Sequence, residues 1–560
     1  MYQLLGDNGT TKEIDTIWKS PATYPNTDLQ QKAIDNGINA IADGKTDLLL
    51  AAVMRFGKTH SAYEIAKHAD FNNGRKGKLV LVTTAKADVR PSWRNDINHV
   101  DFVDDFIFIE FIGNRVDVTL KEPGDEYLKT EKDRLQSVSA IGDFVKMYLN
   151  QGKTIIVFTT LQDVSGRTKD IKDKHKFLYD QALPIDLMII DETHYGSHSN
   201  KYGEATGLNK VKDYINKTET EREDKSYALK EFKELEETTD LINKQIKAKV
   251  RLQCSGTPYY ILCSDEFAPL VEGKEIISKV SFSDMLEARD NWASDHSDAE
   301  QSDSPYFGIP NIIKFGMEIS EACRKELKDA GISISMEELF RMDKAHEKFL
   351  HENAIKSMME SIFGDGQEIH GLLGLKAATE GALFKHCIMV VPHIYTSRKL
   401  KEFLIENKII DPNKREIINL TESRTKSETG GFGLDVNAKD SDVLNDELNR
   451  LEKEGKTSLC ITVKRMLTGV SVPLWDCMLY MRDTNSPQEY DQAIFRLCTR
   501  NIQKAVSLNG EEIKINKKPN VYLVDFNVDR MFELAIKSAA AQCAANGQSR
   551  PEDIQKAIED

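Results

Sequence analysis

Residues 47–60 read DLLLAAVMRFGKTH, an apolar run followed by a short loop and the start of an amphipathic segment. The apolar run has the length and composition of a strand that is buried on both faces of a sheet. The loop ends in Gly57-Lys58-Thr59, and the next residues, THSAYEIAKHA, have helical periodicity. This stretch therefore predicts a strand, a tight loop and a helix, in the order that opens many α/β domains.

Further apolar runs alternate with helical patterns in two sets. The first set continues to about residue 265 with KLVLVTT, KTIIVFTT, IDLMIIDE and VRLQCSGTP. The second set begins near residue 385 and comprises KHCIMVVP, REIINLT, TSLCITV, DCMLYMRD and NVYLVDF. Such runs, separated by turns and amphipathic stretches, are typical of parallel sheets covered by helices on both faces. The sequence thus predicts two α/β domains with their chemistry at the carboxyl ends of the strands.

The domain boundaries follow from these patterns. We predict an N-terminal extension (1–23), a first domain (24–265), a connecting segment (266–378), a second domain (379–530) and a C-terminal helix or tail (531–560). Residues 210–249 are highly charged and are interpreted as a solvated helical insertion in the first domain. Residues 291–305 are acidic and rich in serine, so we expect a flexible loop there, followed by helices.

Composition narrows the class of protein. Apolar residues make up 40% and charged residues 29% of the 560, as expected for a globular chain with sizeable cores. The net charge of −15 disfavours a broad basic face for nucleic acid but is compatible with a local basic groove. No secretory signal and no membrane-length apolar run is visible. Eight scattered cysteines without a CxxC pair predict buried, reduced thiols of a cytosolic protein, with neither zinc nor disulfides.

The loop at residues 52–59 approximates the phosphate-binding pattern G-x-x-x-x-G-K-[ST]. Ala52 takes the position of the first glycine, and Gly57 permits close approach of the backbone to phosphate. Lys58 would neutralise the β- and γ-phosphates, and the Thr59 hydroxyl would bind Mg²⁺. Arg55 lies inside the loop, where small residues are usual, and is counted among the residues that would bind the nucleotide. A match this loose also arises by chance, so its interpretation depends on the rest of the chain.

Two other predicted strands end in polar residues suited to the same chemistry. Asp191 and Glu192 follow the run IDLMII; Asp191 is placed to hold Mg²⁺, and Glu192 to orient and deprotonate an attacking water. His194 could couple this site to the neighbouring domain. Ser255 and Thr257 end the run VRLQC, where small hydroxyl residues alone would indicate no more than a turn.

Taken in order, GKT, DETH and SGT resemble motifs I, II and III of the superfamily 2 helicases and translocases. The resemblance extends over roughly residues 24–530. Together, MRFGKT, DETHYG, SGTPYY, MLTGVSVP and YDQAIFR look most like the helicase module of type I and type III restriction and phage-defence enzymes. The resemblance implies two tandem RecA-like domains that bind ATP and Mg²⁺ between them. It also implies a nucleic-acid track, with DNA favoured over RNA, a nuclease or methyltransferase partner, and a prokaryotic or phage-encoded protein of the cytoplasm.

The resemblance also assigns roles to individual residues. Gln30, with Gln31 as its rival, would recognise adenine. The residues that would contact nucleic acid or line the site in the remaining motifs are Thr84, Lys86 and Arg90 (Ia), Thr159 and Thr160 (Ib), Lys464, Arg465 and Gly469 (V), and Gln492, Arg496 and Arg500 (VI). Arg500 stands one place later than the family pattern, so Arg496 is the expected arginine finger.

Three functions remain open from sequence. The leading one is an ATP-dependent DNA helicase or translocase of a restriction-like system; the others are an RNA helicase and an ATP-gated switch that controls a partner protein. No nuclease signature stands out, so any cutting would need a partner or a further segment. Trp93, beside Arg94, is equally compatible with a contact to a base and with packing in the core.

Overall fold

The computed structural model describes most of the chain in two compact units. The described residues are 16–17, 20–72, 74–84, 89–112, 115–135, 137–160, 173–179, 183–191, 246–256, 273–297, 300–317, 335–343, 348–363, 384–421, 440–463, 471–484, 487–506, 512–527, 531, 534 and 536. The first unit is Met1–Ala288 and the second is Arg289–Asp560.

The first unit alternates strands and helices from residue 28 onward. Its helices are α1 (Asp28–Ala42), α2 (Lys58–His68), α3 (Arg90–Asp96) and α4 (Val138–Asn150), with a 3-10 turn at Asp173–Tyr179. Its strands are β1 (Thr16–Ile17), β2 (Asp47–Ala52), β3 (Lys78–Thr84), β4 (Phe106–Ile112), β5 (Arg115–Leu120), β6 (Lys129–Glu131), β7 (Thr154–Thr160), β8 (Ile185–Asp191), β9 (Ala248–Ser255) and β10 (Lys274–Val280). Helix α5 (Phe282–Asp295) runs across the boundary between the units.

All strands of the first unit form one sheet in the order β1-β6-β5-β4-β7-β3-β8-β9-β2-β10. Pairing is parallel from β4 to β10 in this order, and antiparallel from β1 to β4. The central strands are buried almost throughout, because both faces of a parallel sheet are covered by helices. The predicted parallel α/β fold is confirmed, and five of its strands are the apolar runs identified from sequence.

The second unit repeats this architecture with a smaller sheet. Its helices are α6 (Met336–Leu339), α7 (Glu352–Phe363), α8 (Ile394–Glu406), α9 (Asp440–Lys453) and α10 (Pro487–Ile494). Its strands are β11 (Asn311–Gly316), β12 (Met342–Asp343), β13 (Lys348–Phe349), β14 (His386–Val390), β15 (Arg415–Asn419), β16 (Thr457–Thr462), β17 (Cys477–Tyr480), β18 (Ile502–Val506), β19 (Glu512–Asn516) and β20 (Asn520–Asp525). The parallel sheet has the order β11-β20-β17-β14-β16-β15, and β12–β13 and β18–β19 are separate antiparallel pairs.

The interval expected to connect the two domains contributes a strand to each sheet. Strand β10 pairs with β2 in the first unit, and β11 pairs with β20 in the second. The expected loop at 291–305 is helical as far as Asp295, where the Trp292 ring stacks on His296 with centroids 4.4 Å apart. Residues 301–303 form a 3-10 turn. The flexible-loop prediction is therefore wrong for residues 291–295 and 301–303. At the end of the helix, the stacking of Trp292 on His296 favours order in an acidic stretch.

Other predicted segments lie partly outside the described residues. Of the charged insertion at 210–249, only 246–249 are described, and β9 already begins at Ala248. The N-terminal extension is described at 16–17 and 20–23, and the C-terminal segment only at 531, 534 and 536. In the described part of the chain, no helix is long and apolar enough to cross a membrane.

Candidate nucleotide site

The predicted motifs of the first unit converge at one edge of its sheet. Ala51 of β2 pairs with Ser255 of β9, and Asp191 of β8 pairs with the residue that precedes Ser255. Asp191 also pairs with Thr84 of β3, which in turn pairs with Thr160 of β7. The carboxyl ends of these strands therefore bring the phosphate loop, the acidic strand end and three hydroxyl-bearing strand ends together.

The phosphate loop leaves β2 and closes at Gly57, the residue before α2. Gly57 has a φ of +94° and Arg55 a φ of +71°, so the backbone is left-handed at two positions of the loop. Helix α2 starts at Lys58 without a side-chain cap, and the Ser61 N–H is already bonded to the Gly57 carbonyl at 3.0 Å. Uncapped N–H groups at a helix start form a ready site for an anion.

Gln30 of α1 anchors this loop. Its Nε2 donates to the Phe56 carbonyl oxygen at 2.8 Å, while its Oε1 accepts from the backbone N–H of Thr27 at 2.8 Å. A Cβ atom added to Gly57 would lie 2.2 Å from Gln30 Nε2. Gln30 in this position therefore leaves no room for a side chain at residue 57. Gln31 points elsewhere, with its side chain exposed and bonded to Asp35. The structure thus places Gln30, rather than its rival, at the loop.

The Lys58 side chain reaches back to the beginning of the loop. Its Nζ donates to the carbonyl oxygens of Ala52 and Val53 at 3.1 and 3.4 Å. The end of β9 packs beside it, since a Cβ atom on Gly256 would come within 3.3 Å of Lys58 Nζ. Ser255 is fully buried. Gly256 of motif III therefore lies close to the loop lysine and leaves no room there for a side chain, although the sequence interpretation gave this residue no role.

Asp191 is held by an unexpected partner. The indole Nε1 of Trp93 donates to Asp191 Oδ2 at 3.0 Å, and only 1% of Trp93 is exposed. Trp93 is thus a core residue that contacts the site, and it is not on the surface where a base could stack. Sequence gave no signal for this bond, because the two residues are far apart in the chain. Glu192, His194 and Thr257 lie outside the described residues.

These residues fit a nucleoside triphosphate with Mg²⁺. The loop turns at the left-handed Gly57, Lys58 supplies a cation, and α2 contributes an amino end without a side-chain cap. Thr59 and Asp191 supply oxygen ligands of the kind that Mg²⁺ prefers. Among the residues that the structure describes, no cluster of three or more His, Cys, Asp or Glu side chains could hold a metal ion by itself.

Most of the first unit matches a known protein family. Residues 24–259 match the model described as "Type III restriction enzyme, res subunit". After this match, residues 24–259 are called the Res domain. The chain is also 25% identical over 509 residues to the "Putative type II restriction enzyme and methyltransferase RM.MpnORF110P C-terminus" of Mycoplasma pneumoniae. That match covers 87% of this chain and 62% of the relative.

Among solved structures, the "ATP-dependent Type ISP restriction-modification enzyme LlaBIII bound to DNA" shares the fold. The match has a TM-score of 0.52 at 12% identity and covers 93% of this chain and 30% of that chain. This chain therefore spans less than two thirds of the length of either relative. The predicted resemblance to helicase modules of restriction enzymes is confirmed for the Res domain, which is a helicase-type domain.

The residues predicted to contact nucleic acid differ in accessibility within the Res domain. Thr84 and Thr159 are buried, and Thr160 is half-buried. Arg90 is about one-fifth exposed, with its Nε 3.8 Å from the buried carboxylate of Glu110. Of this set, Thr160 and Arg90 retain accessible surface in this structure. Lys86 of the same domain, and Gly469, Lys464 and Arg465 of the second unit, lie outside the described residues.

The predicted motif VI residues lie beyond the Res domain, with Gln492 in α10 and both arginines after it. Gln492 and Arg496 are both 4% exposed. Arg500 donates from Nη1 to the carbonyl oxygen of Pro305 at 2.9 Å, and burial lowers the pKa of its guanidinium. Gly308 lies nearby, since a Cβ atom added to it would be 3.5 Å from Arg500 Cβ. Arg500 is thus bound to the 304–309 turn within its own unit, an anchoring contact that its place in the sequence did not indicate.

An aromatic and acidic cluster lies behind the start of α2 in the Res domain. The His60 ring lies 5.2 Å from Tyr24, 4.8 Å from His99 and 5.1 Å from Phe102 between ring centroids. Burial, followed by the nearby His99, lowers the pKa of His60 to about 4. Burial also raises the pKa of Glu64, one turn along α2. The His60 imidazole, directly after Thr59, is therefore neutral at neutral pH.

Proposed function

We propose that the chain is an ATP-driven motor that acts on DNA as part of a restriction-type system. The observation that carries the proposal is the strand register that puts the end of β2 and Asp191 at one sheet edge, with Lys58 and Thr59 on the uncapped helix start that follows β2. The names of the relatives, a Res subunit and two restriction-modification proteins, support the choice of DNA. Both the specific activity and the track are proposals.

Within this proposal, Lys58 binds the β- and γ-phosphates, and Thr59 and Asp191 hold Mg²⁺. Bound Mg²⁺ would neutralise charge that develops on the transferred phosphoryl group. Glu192 accepts the proton of the attacking water, and Gln30 has capacity left to recognise adenine. An amide side chain can make about four hydrogen bonds, of which Gln30 uses one for the Phe56 carbonyl of the loop and one for the backbone N–H of Thr27.

The second unit would supply Gln492 and the arginine finger. Of the two candidates we favour Arg496, because Arg500 stands one place later than the family pattern. The proposed coupling residues His194, Ser255 and Thr257 would transmit the nucleotide state to the strand contacts. Those contacts are proposed for Thr160, Arg90, Lys86, Lys464 and Arg465, and less for the buried Thr84 and Thr159. They fall on phosphate and sugar, so no sequence preference is expected.

ATP hydrolysis by the full chain, with and without single-stranded DNA, duplex DNA and RNA, tests this proposal. We expect stimulation by DNA and a loss of at least about 100-fold in Lys58→Ala, since this cation acts on the transferred phosphate. Lys67→Ala, at the far end of the same helix, is the matched control and should keep its activity. Stimulation by RNA alone would show that the motor acts on RNA and not on DNA. Hydrolysis that no polymer changes would favour the ATP-gated switch.

A further inference from the structure

The indole of Trp93 connects three segments of the first unit that carry site residues. Trp93 belongs to α3, its Nε1 donates to Asp191 at the end of β8, and its backbone carbonyl accepts from Tyr63 Oη at 2.8 Å. Tyr63 lies on α2, the helix that begins at Lys58, and its ring meets the indole edge-on at 5.5 Å between centroids. One buried side chain therefore ties the acidic strand end to the helix of the phosphate loop.

We propose that Trp93 is a positioning residue that orients the Asp191 carboxylate toward Mg²⁺, an inference that rests on the proposed function. A hydrogen bond to a carboxylate is charge-assisted and directional, so the indole N–H restricts the orientation of a group that can also bind a metal ion. The indole is fixed by close packing on α2 and cannot follow a rotated carboxylate. Removal of a partner that orients a metal ligand typically changes metal affinity by about 10–100-fold.

A purely structural role predicts a different result. If Trp93 only filled the core, its replacement would lower the stability of the fold and leave the Mg²⁺ dependence of nucleotide binding unchanged. The distinction lies in the donor, because Trp93→Phe keeps an aromatic ring against Tyr63 and removes the N–H that reaches Asp191.

Binding of a fluorescent ATP analogue to the full chain, titrated with Mg²⁺, separates the two roles. In Trp93→Phe we expect the Mg²⁺ concentration at half-saturation to rise about 10-fold, with unchanged binding of the analogue in the absence of Mg²⁺. Trp475→Phe is the matched control, since this buried indole of the second unit donates to Cys460 Sγ at 3.5 Å. Trp475→Phe should not shift the Mg²⁺ concentration at half-saturation. An unchanged midpoint in Trp93→Phe would overturn the inference.

A second measurement uses the wild-type chain and does not depend on the folding of Trp93→Phe. With ¹⁵N-labelled tryptophan the chain gives four indole signals, and Mn²⁺ replaces Mg²⁺ in the presence of ATP. We expect selective broadening of the Trp93 signal, assigned from Phe variants at Trp18, Trp292 and Trp475. Binding of ATP and Mn²⁺ without this broadening would overturn the inference. Failure of the wild-type chain to bind ATP at all would instead overturn the proposed function.

Discussion

Gly57 has a φ of +94°, and a Cβ atom built there would lie 2.2 Å from Gln30 Nε2. Gly57→Ala should therefore lower the free energy of unfolding by about 1–3 kcal/mol and weaken ATP binding, because both the backbone and the Gln30 anchor must shift. Chemical denaturation and binding of a fluorescent ATP analogue measure the two effects.

Gly44→Ala is the control for this prediction. Gly44 has a φ of +81°, yet an added Cβ atom there meets nothing within 4 Å. It should show the backbone strain without the steric contact, so its loss of stability should be smaller and its ATP binding normal. Equal losses in the two variants would show that Gln30 yields easily and does not anchor the loop.

His60 should make stability depend on pH. The pKa of its imidazole is lowered to about 4 in the folded chain, by burial and by His99, against about 6.5 when unfolded. Between these values the unfolded state binds more protons, so this contribution to stability is complete above about pH 6.5 and is lost as pH falls toward 4. Wild-type stability should fall by about 1–2 kcal/mol more than that of His60→Phe between about pH 7.5 and pH 5.

Asp96 acts in the opposite direction over the same range. Burial raises the pKa of its carboxyl to about 7, which contributes stability that is lost as pH rises. Because wild type and His60→Phe share Asp96, the difference between their pH profiles isolates the imidazole. Parallel profiles of thermal unfolding would contradict the assignment for His60.

Sequence identified the charged and glycine residues of the site better than their supports. Lys58 and Asp191 belong to local patterns, so their positions at a helix start and at a strand end were predictable from neighbouring residues. The bonds from Trp93 to Asp191 and from Arg500 to Pro305 join residues that are distant in the chain, and no local pattern encodes them. The choice between Gln30 and Gln31 likewise required the orientation of α1 against the loop.

At the level of elements, α1 packs on α2 through Gly37. A Cβ atom at position 37 would lie 2.6 Å from Ile65 Cδ1 and 3.3 Å from Ile277 Cδ1, so the helix approaches both α2 and β10 closely. Gly37→Leu should lower the free energy of unfolding by about 1–3 kcal/mol, since extra methylenes would force the layers apart. Chemical denaturation of the full chain measures this change.

Gly142→Leu provides the matched comparison. Gly142 also lies within a helix, α4, but an added Cβ atom there meets nothing within 4 Å. Leucine should stabilise that helix by up to about 1 kcal/mol through its higher helical propensity. If both variants gained stability, the close approach of α1 to its neighbours would be refuted.

Strands were predictable where apolar residues run without interruption. Strands β2, β3, β7 and β8 are such runs, and their burial on both faces explains why the pattern was clear. Strand β4 carries the buried Glu110, which is bound to Arg94 at 2.9 Å, and β10 is edged with charges. A charge interrupts the apolar pattern even where a distant partner neutralises it, so these strands were missed.

For the whole molecule, the net charge of −15 limits how DNA could be held. Contacts confined to a local groove should neutralise few phosphates, so the slope of log affinity against log salt concentration should be shallower than about −5. Fluorescence anisotropy with labelled DNA between about 50 and 200 mM salt measures the slope. A slope steeper than about −8 would indicate a broad basic face instead.

Arg90 and Arg94 allow a paired test of contact with DNA. Both reach the carboxylate of Glu110, at 3.8 and 2.9 Å. If Arg90 contacts a phosphate, Arg90→Ala should reduce the magnitude of the salt slope by about one, and Arg94→Ala, whose guanidinium is more tightly bound to Glu110, should reduce it less. Equal slopes in wild type and Arg90→Ala would remove this residue from the interface.

Gln30 belongs at once to the capping box of α1 and to the anchor of the phosphate loop. Fraying of the first turn of that helix and opening of the loop are therefore one event, with one free energy. A ligand that holds the loop closed should slow hydrogen exchange of the amides at residues 28–33, although these amides need not touch the ligand. The beginning of α1 would then report on occupancy of the loop.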